Sequence, residues 1–254
     1  MKIVRVRLDD GEIAYGAVEP EGIRVHQGSP FIAWEPTEVL MPFNRAHLLA
    51  PVLPTKVVGV GRNYADHAAE RDAAVPAEPM LFLKPATAVI GPGAPVILPP
   101  EAKEVHHEAE LVVVVGRVAH RVAAEDAGGY ILGYTAGNDI SARDLQRQDG
   151  QWGRAKGFDT FCPLGPAIET ELDPSGLAIT CTVNGEIRQE ASTADMVFGV
   201  AELFAFVSRV MTLLPGDVIL TGTPAGTGPL RPGDRMEVAV ERIGVLANGV
   251  VAGR

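Results

Sequence analysis

Cysteine is almost missing from this 254-residue chain, and the two present, Cys162 and Cys181, form no metal-ligand or redox spacing. A disulfide scaffold is thereby excluded, and the scarcity fits free thiols in a reducing compartment. Long apolar runs are missing too: no uninterrupted stretch approaches the ~20 residues that a membrane helix needs. No long basic cluster occurs and the net charge is -10, which disfavours a nucleic-acid backbone as partner. Met1-Lys2-Ile3-Val4-Arg5 runs directly into an alternating pattern, without the apolar core of a signal peptide. These absences lead to the expectation of a soluble cytoplasmic protein, and a hydrophobic content of 46% is enough to give it a substantial core.

What is present reads mainly as short strands. In residues 1–54, Ile3–Leu8 alternates, Asp9-Asp10-Gly11 turns, Ile13–Tyr15 returns and Ile23–Val25 offers a third strand. Pro51 and Pro54 then punctuate a boundary, so the expected division is a small N-terminal β domain, 1–54, and a main domain, 55–254. The main domain predicts strands at Val57–Val60, Leu81–Leu83, Ala88–Ile90, Glu110–Val115, Ile131–Thr135, Ile179–Val183, Val218–Thr221 and Met236–Val240. Asn184-Gly185 is a two-residue hairpin signal. Helical spacing predicts one long helix from about Ala194 to Leu213 and a shorter one over Asp66–Ala74. The fold class is therefore β-rich α+β; without regular alternation of strands and long helices, an eight-fold βα barrel and a doubly wound sheet are both disfavoured.

The chemistry concentrates in carboxylates. Glu108 and Glu110 stand where the apolar run Leu111-Val112-Val113-Val114-Val115 begins. On a strand, residues two apart share a face at about 6.5–7 Å along the chain. Val112 and Val114 continue that parity, so the acidic row shares its face with apolar residues instead of forming an ordinary solvent-facing row. Two like charges beside an interior are costly unless a cation joins them. His67 and Glu70, at i,i+3 on the predicted helix, form either a proton-transfer dyad or an exposed helix contact, with Arg71 an alternative partner for a surface carboxylate. Lys84 and Lys156 read as strand-end or loop lysines, or as cations that balance an acidic site. His106 and His107 suggest zinc, but a set of three carboxylates, Glu108 and Glu110 with Asp139 of Tyr134-Thr135-Ala136-Gly137-Asn138-Asp139-Ile140, suits Mg2+ or Mn2+ better. The glycine clusters at Gly59–Gly61 and Gly222–Gly228 lack the endings of nucleotide-binding loops and read as turns that approach something closely.

Several stretches in order resemble one family. They are Gly61-Arg62-Asn63-Tyr64-Ala65-Asp66-His67, Leu81-Phe82-Leu83-Lys84-Pro85, His106-His107-Glu108-Ala109-Glu110-Leu111, Asn138-Asp139-Ile140-Ser141-Ala142-Arg143-Asp144-Leu145-Gln146, Ala155-Lys156-Gly157-Phe158-Asp159-Thr160, Val183-Asn184-Gly185-Glu186 and Leu220-Thr221-Gly222-Thr223-Pro224. Together they are similar to the short branch of the fumarylacetoacetate hydrolase superfamily, which holds acylpyruvases, oxaloacetate decarboxylases and 2-hydroxyhepta-2,4-diene-1,7-dioate isomerases. The resemblance implies a mixed β-roll, usually a homodimer, and Mg2+ or Mn2+ bound by Glu108, Glu110 and Asp139. It also implies a water-activating dyad of His67 and Glu70 on a lid of about residues 63–80, with Lys156 as the active-site lysine. Arg62, Tyr64, Lys84, Gln146, Thr160 and Thr223 fall where the family lines its substrate pocket.

The implied substrate is a small 2-oxo acid, and the implied common intermediate is its pyruvate-type enolate, stabilised by the metal's charge. Water delivered by His67 gives hydrolytic C–C cleavage of an acylpyruvate. Loss of CO2 gives oxaloacetate decarboxylation. Proton transfer alone gives the dienoate isomerase of aromatic catabolism. Retention of both His67 and Glu70 favours cleavage or decarboxylation over isomerisation, and a catalytically silent metal-binding dimer stands as the non-enzymatic alternative.

Overall fold

The computed structural model describes residues 1–70 and 72–254. Its core is built on the strand Ala109–Val115, buried at every position. Alternation sorts the run into two faces. Leu111, Val113 and Val115 join one apolar cluster, and Val112 and Val114 join another. Burial on both faces is what an unbroken β-branched run requires.

This strand lies within a mixed sheet. One neighbour is Ile131–Asn138, antiparallel, followed by Cys162–Glu169. On the other side come Val218–Leu220, then Val57–Gly61 in parallel, then Met80–Lys84 at the edge. A second sheet runs Glu186–Ser192, Ala178–Val183, Arg235–Val240, Gly244–Ala252 and Val96–Leu98. The helix Val200–Val210 supplies Leu203, Phe204 and Val207 to the larger cluster, where they meet Val58, Val60 and Val113 of the first sheet and Ile179, Val238 and Val240 of the second. The expected β-rich α+β class is thus the observed one.

The N-terminal strands Lys2–Arg7, Ile13–Glu19, Gly22–Ser29 and Ala33–Met41 form a meander that extends the first sheet, because Lys2 and Ile3 pair with Glu169 and Ile168. Ala33–Met41 gave no sequence signal. It carries Pro36 and three charged or polar residues between its apolar ones, a composition suited to the exposed edge it occupies.

The two expected helices are shorter than their periodicity. Over 194–213, only Val200–Val210 is α-helical; Thr193–Asp195 forms a separate 3-10 turn capped by Ser192. Asn63 explains the break. Its backbone carbonyl accepts from Val197 N–H at 2.8 Å and its side chain from Phe198 N–H at 2.8 Å, so these donors are satisfied outside a helix. At the other end, Leu213 forms a bridge with Ala119. Over 66–74, the α-helix is Ala65–Glu70. Arg71 lies outside the described residues. The Asn184-Gly185 hairpin is present, with both residues at positive φ and Val183 paired to Glu186.

Candidate active site

The strand pair delivers the acids. Ala109 pairs with Asn138 at the end of the ladder, so Glu108 and Asp139 are adjacent as the chains leave it. Asp139 N–H donates to the Glu108 carbonyl at 2.8 Å, and the Asn138 side chain accepts from Glu108 N–H at 2.8 Å. Glu110 follows on the same face as Glu108, ahead of Val112 and Val114. One carboxylate oxygen from each of Glu108, Glu110 and Asp139 lies within 4.8 Å of the others, and all three residues are buried.

Three cations meet these acids. Lys84 Nζ donates to Asp139 at 2.5 Å. Lys156 bridges Glu108, at 2.7 Å, and Asp139. Arg143 donates to the other oxygen of Glu108. Burial pushes the Glu108 carboxyl up, but Arg143 and Lys156 more than reverse this and hold it well below the usual carboxylate range. Glu110 ends on the opposite side. Burial, then Asp139 and Glu108, push it well above that range, while Lys156 and the Gly222 N–H only partly offset them. That N–H reaches Glu110 Oε2 at 2.6 Å. It comes from a backbone at φ +100°, a conformation that glycine adopts without strain.

The donor set fits a hard divalent cation. It consists of carboxylate oxygens, and the negative charge of ionised Glu110, beside two further acids, is only partly offset by Lys156. The histidines just before it are engaged elsewhere: His106 Nε2 is 3.1 Å from Glu104, and His107 Nδ1 is 3.1 Å from Gln189. Among the described residues, the carboxylates are the one cluster of metal-ligating side chains.

The acids open into a cavity of about 340 Å³ that Arg62, His67, Gln146, Lys156 and Thr223 also line. His67 arrives on the Ala65–Glu70 helix, its Nδ1 3.3 Å from Glu70 Oε2. Glu70 stays outside the lining and accepts from Gly226 N–H at 3.2 Å. Asn63 holds the start of this segment, donating to the Thr221 and Phe198 carbonyls at 2.7 and 3.0 Å.

The other expected pocket residues sit elsewhere. Lys84 is behind Asp139, buried beneath the cavity floor. Tyr64 is buried, its hydroxyl without a hydrogen-bond partner, and burial pushes its phenol upward. Thr160 does not line the cavity; its hydroxyl accepts from Ile97 N–H at 2.9 Å.

Sequence reasoning missed Arg143, Arg147, Phe82 and Trp152, all of which line the cavity. Arg143 and Arg147 are one turn apart on the short helix Arg143–Asp149, whose seven residues gave too little periodicity to detect. Phe82 and Trp152 are 5.4 Å apart between ring centres, and Lys156 Nζ lies 4.9 Å from the Phe82 centre, close enough for a cation–π contact.

Residues 56–251 match the family described as "Fumarylacetoacetate (FAA) hydrolase C-terminal", and residues 1–51 match "Rv2993c-like, N-terminal". The chain belongs to the fumarylacetoacetate hydrolase family. The chain is 46% identical to the mitochondrial oxaloacetate tautomerase Fahd2a of Rattus norvegicus, over 84% of this chain and 72% of that protein. Among solved structures, 5-carboxymethyl-2-hydroxymuconate delta-isomerase from Mycobacterium smegmatis superposes with a TM-score of 0.93 at 48% identity, covering 100% of both chains. The 2-hydroxyhepta-2,4-diene-1,7-dioate isomerase from Mycobacterium marinum gives 0.92 at 46%, covering 99% of this chain and 98% of that one. Membership and these relatives indicate an enzyme. No helix among the described residues is long and apolar enough to cross a membrane.

Proposed function

We propose that this chain is a Mg2+- or Mn2+-dependent enzyme that moves a proton at the carbon beside the 2-oxo group of a small dianionic 2-oxo acid. The products are the keto–enol or double-bond isomers of such an acid. The observation that carries this reading is the convergence of three carboxylates and three cations, Lys156 and Arg143 lining one cavity floor and Lys84 beneath it. Their formal charges cancel, so a divalent ion leaves two positive charges for a ligand, which matches a dianion in a site of low dielectric.

An ion held by Glu108, Glu110 and Asp139 would supply Lewis-acid charge beside the 2-oxo group. The side chains do the rest. Lys156 and Arg143 place fixed positive charge where negative charge develops as the neighbouring carbon loses its proton. His67, oriented by Glu70, accepts that proton and returns it, the work of a general acid–base. Phe82 and Trp152 wall the lysine from bulk water.

The sequence alone placed C–C cleavage first, because His67 and Glu70 suit the activation of water. The relatives named as a tautomerase and as isomerases support the proton-transfer reading instead. Cleavage of an acylpyruvate or decarboxylation of oxaloacetate stays as the second reading, carried by the His67–Glu70 contact at 3.3 Å. The test follows enol-oxaloacetate loss by ultraviolet absorbance, with pyruvate release from oxaloacetate, acetylpyruvate and fumarylpyruvate read in parallel, each with Mn2+ or EDTA. Metal-dependent enol loss without pyruvate supports the proposal, and metal-dependent pyruvate release moves the assignment to cleavage. Absence of both overturns the small-acid reading for these compounds.

A further inference from the structure

Gln189 is 1% exposed and belongs to Glu186–Ser192, the outer strand of the second sheet, yet its side chain reaches the backbone of the first-sheet strand that carries Glu110. Its oxygen accepts from Ala109 N–H at 2.9 Å, on the residue between Glu108 and Glu110, and faces His107 Nδ1 at 3.1 Å. Its nitrogen donates to the Pro224 carbonyl at 2.9 Å and to Thr223 Oγ1 at 2.7 Å. The two backbone partners decide which way the amide points. An N–H can only donate and a carbonyl can only accept, so the oxygen must face Ala109 and the nitrogen Pro224. Both donors and both lone pairs of the amide are then used, which is what burial demands.

One consequence concerns Thr223. Its oxygen already accepts from Gln189, so its own proton is not needed in that contact and is free to turn to the cavity that Thr223 lines. We propose that Gln189 is a positioning residue that sets the Thr223 hydroxyl as a donor to an anionic substrate oxygen, while bracing the backbone between the two glutamates. The contact between loop and strand is close: a Cβ on Gly226, at φ +94°, would meet the Arg188 carbonyl oxygen at 2.0 Å. The 222–226 loop is thereby seated against the strand that carries Gln189.

This inference rests on the small-acid reading for its ligand but not for its hydrogen-bond polarity, so the test has two arms. In the first, oxalate, a small dianion, is titrated calorimetrically into Mn2+-saturated wild type, Gln189→Glu, Thr223→Val and the double variant. Gln189→Glu keeps an acceptor for Ala109 and removes the donor to Thr223. Each single change is expected to weaken oxalate about tenfold, the scale of a hydrogen bond to a charged group, and the double variant no further than Thr223→Val. Thr223→Ser should retain wild-type affinity. Equal weakening by Gln189→Glu in the Thr223→Val background would overturn the proposal, because a general charge or packing effect persists without the hydroxyl. The second arm needs no variant to fold. Neutron diffraction of deuterated wild type should place the Thr223 deuteron toward the cavity, and a deuteron pointing at Gln189 would overturn the assignment. Wild type that binds no oxalate, with the deuteron toward the cavity, would remove the small-acid reading and leave the polarity assignment standing.

Discussion

Asp217 and Glu110 are both buried acids beside the same strand pair, and they solve the cost of burial in opposite ways. Asp217 stands just before Val218–Leu220. It accepts from Thr55 Oγ1 at 2.6 Å, from the N–H groups of Thr55, Lys56 and Leu214 at 3.0, 3.1 and 2.8 Å, and from the Lys56 ammonium. Burial pushes its carboxyl up, but these donors outweigh burial and hold it below the ordinary value. Glu110 receives the Gly222 N–H and faces two more acids, and it is held above the ordinary value. A satisfied buried acid fastens segments together, here residues 55–56 to the loop before Val218. An acid left short of positive charge destabilises the empty fold and is suited to a cation.

The widest separation between the two should come from Glu110→Gln. Turnover with Mn2+ is expected to fall by at least about a thousandfold, several kcal/mol of lost charge stabilisation. The Tm of metal-free protein should rise, because a neutral amide replaces a crowded acid. A lower metal-free Tm would erase the contrast with Asp217. Asp217→Asn should do the reverse, costing about 3 kcal/mol in urea unfolding, as removal of a buried charge partner does, with kcat of the folded protein unchanged. The pH dependence has a definite sign. Asp217 is depressed in the fold, so its contribution is complete above its unfolded value of 3.8 and is lost as pH falls through the lower folded value. Urea midpoints of wild type and Asp217→Asn should therefore differ at neutral pH and converge as the pH falls into the acid range.

His67→Ala sharpens the comparison by removing a group that acts on substrate and leaves the acids intact. Turnover should fall about a hundredfold, the lower range for a general acid–base, while Mn2+ affinity measured by calorimetry stays within error. Under the cleavage reading, the same variant would suppress acylpyruvate hydrolysis more than oxaloacetate decarboxylation. The smallest effect is expected at Thr160→Ala, about 1 kcal/mol of stability for the lost Ile97 hydrogen bond and no change in turnover. A turnover defect there would return Thr160 to the pocket.

Glu108 and Glu110 were legible because two signals agreed: a parity of two that continued into Val112 and Val114, and motif context that supplied Asp139 from just past the end of the neighbouring strand. The hairpin at Asn184-Gly185 was legible because its geometry is local. Arg143, Arg147 and Trp152 were not, since they sit on or beside helices of seven and five residues that exist through tertiary packing. The long-helix reading of 194–213 failed at Asn63, a partner more than a hundred residues away whose hydrogen bonds no local pattern records. Gln189 illustrates the same gap: its strand gave a hairpin signal, but its four partners lie on segments the sequence does not place beside it.

The measurement that bears most directly on Glu108, Glu110 and Asp139 as one divalent-ion site is calorimetric titration of Mn2+ into metal-free wild type and Glu110→Gln, with Asp217→Asn as control. One ion per chain should bind to wild type and to Asp217→Asn, with binding lost or weakened at least about tenfold in Glu110→Gln. Unchanged Mn2+ binding in Glu110→Gln would contradict the three-carboxylate site and the charge argument built on it.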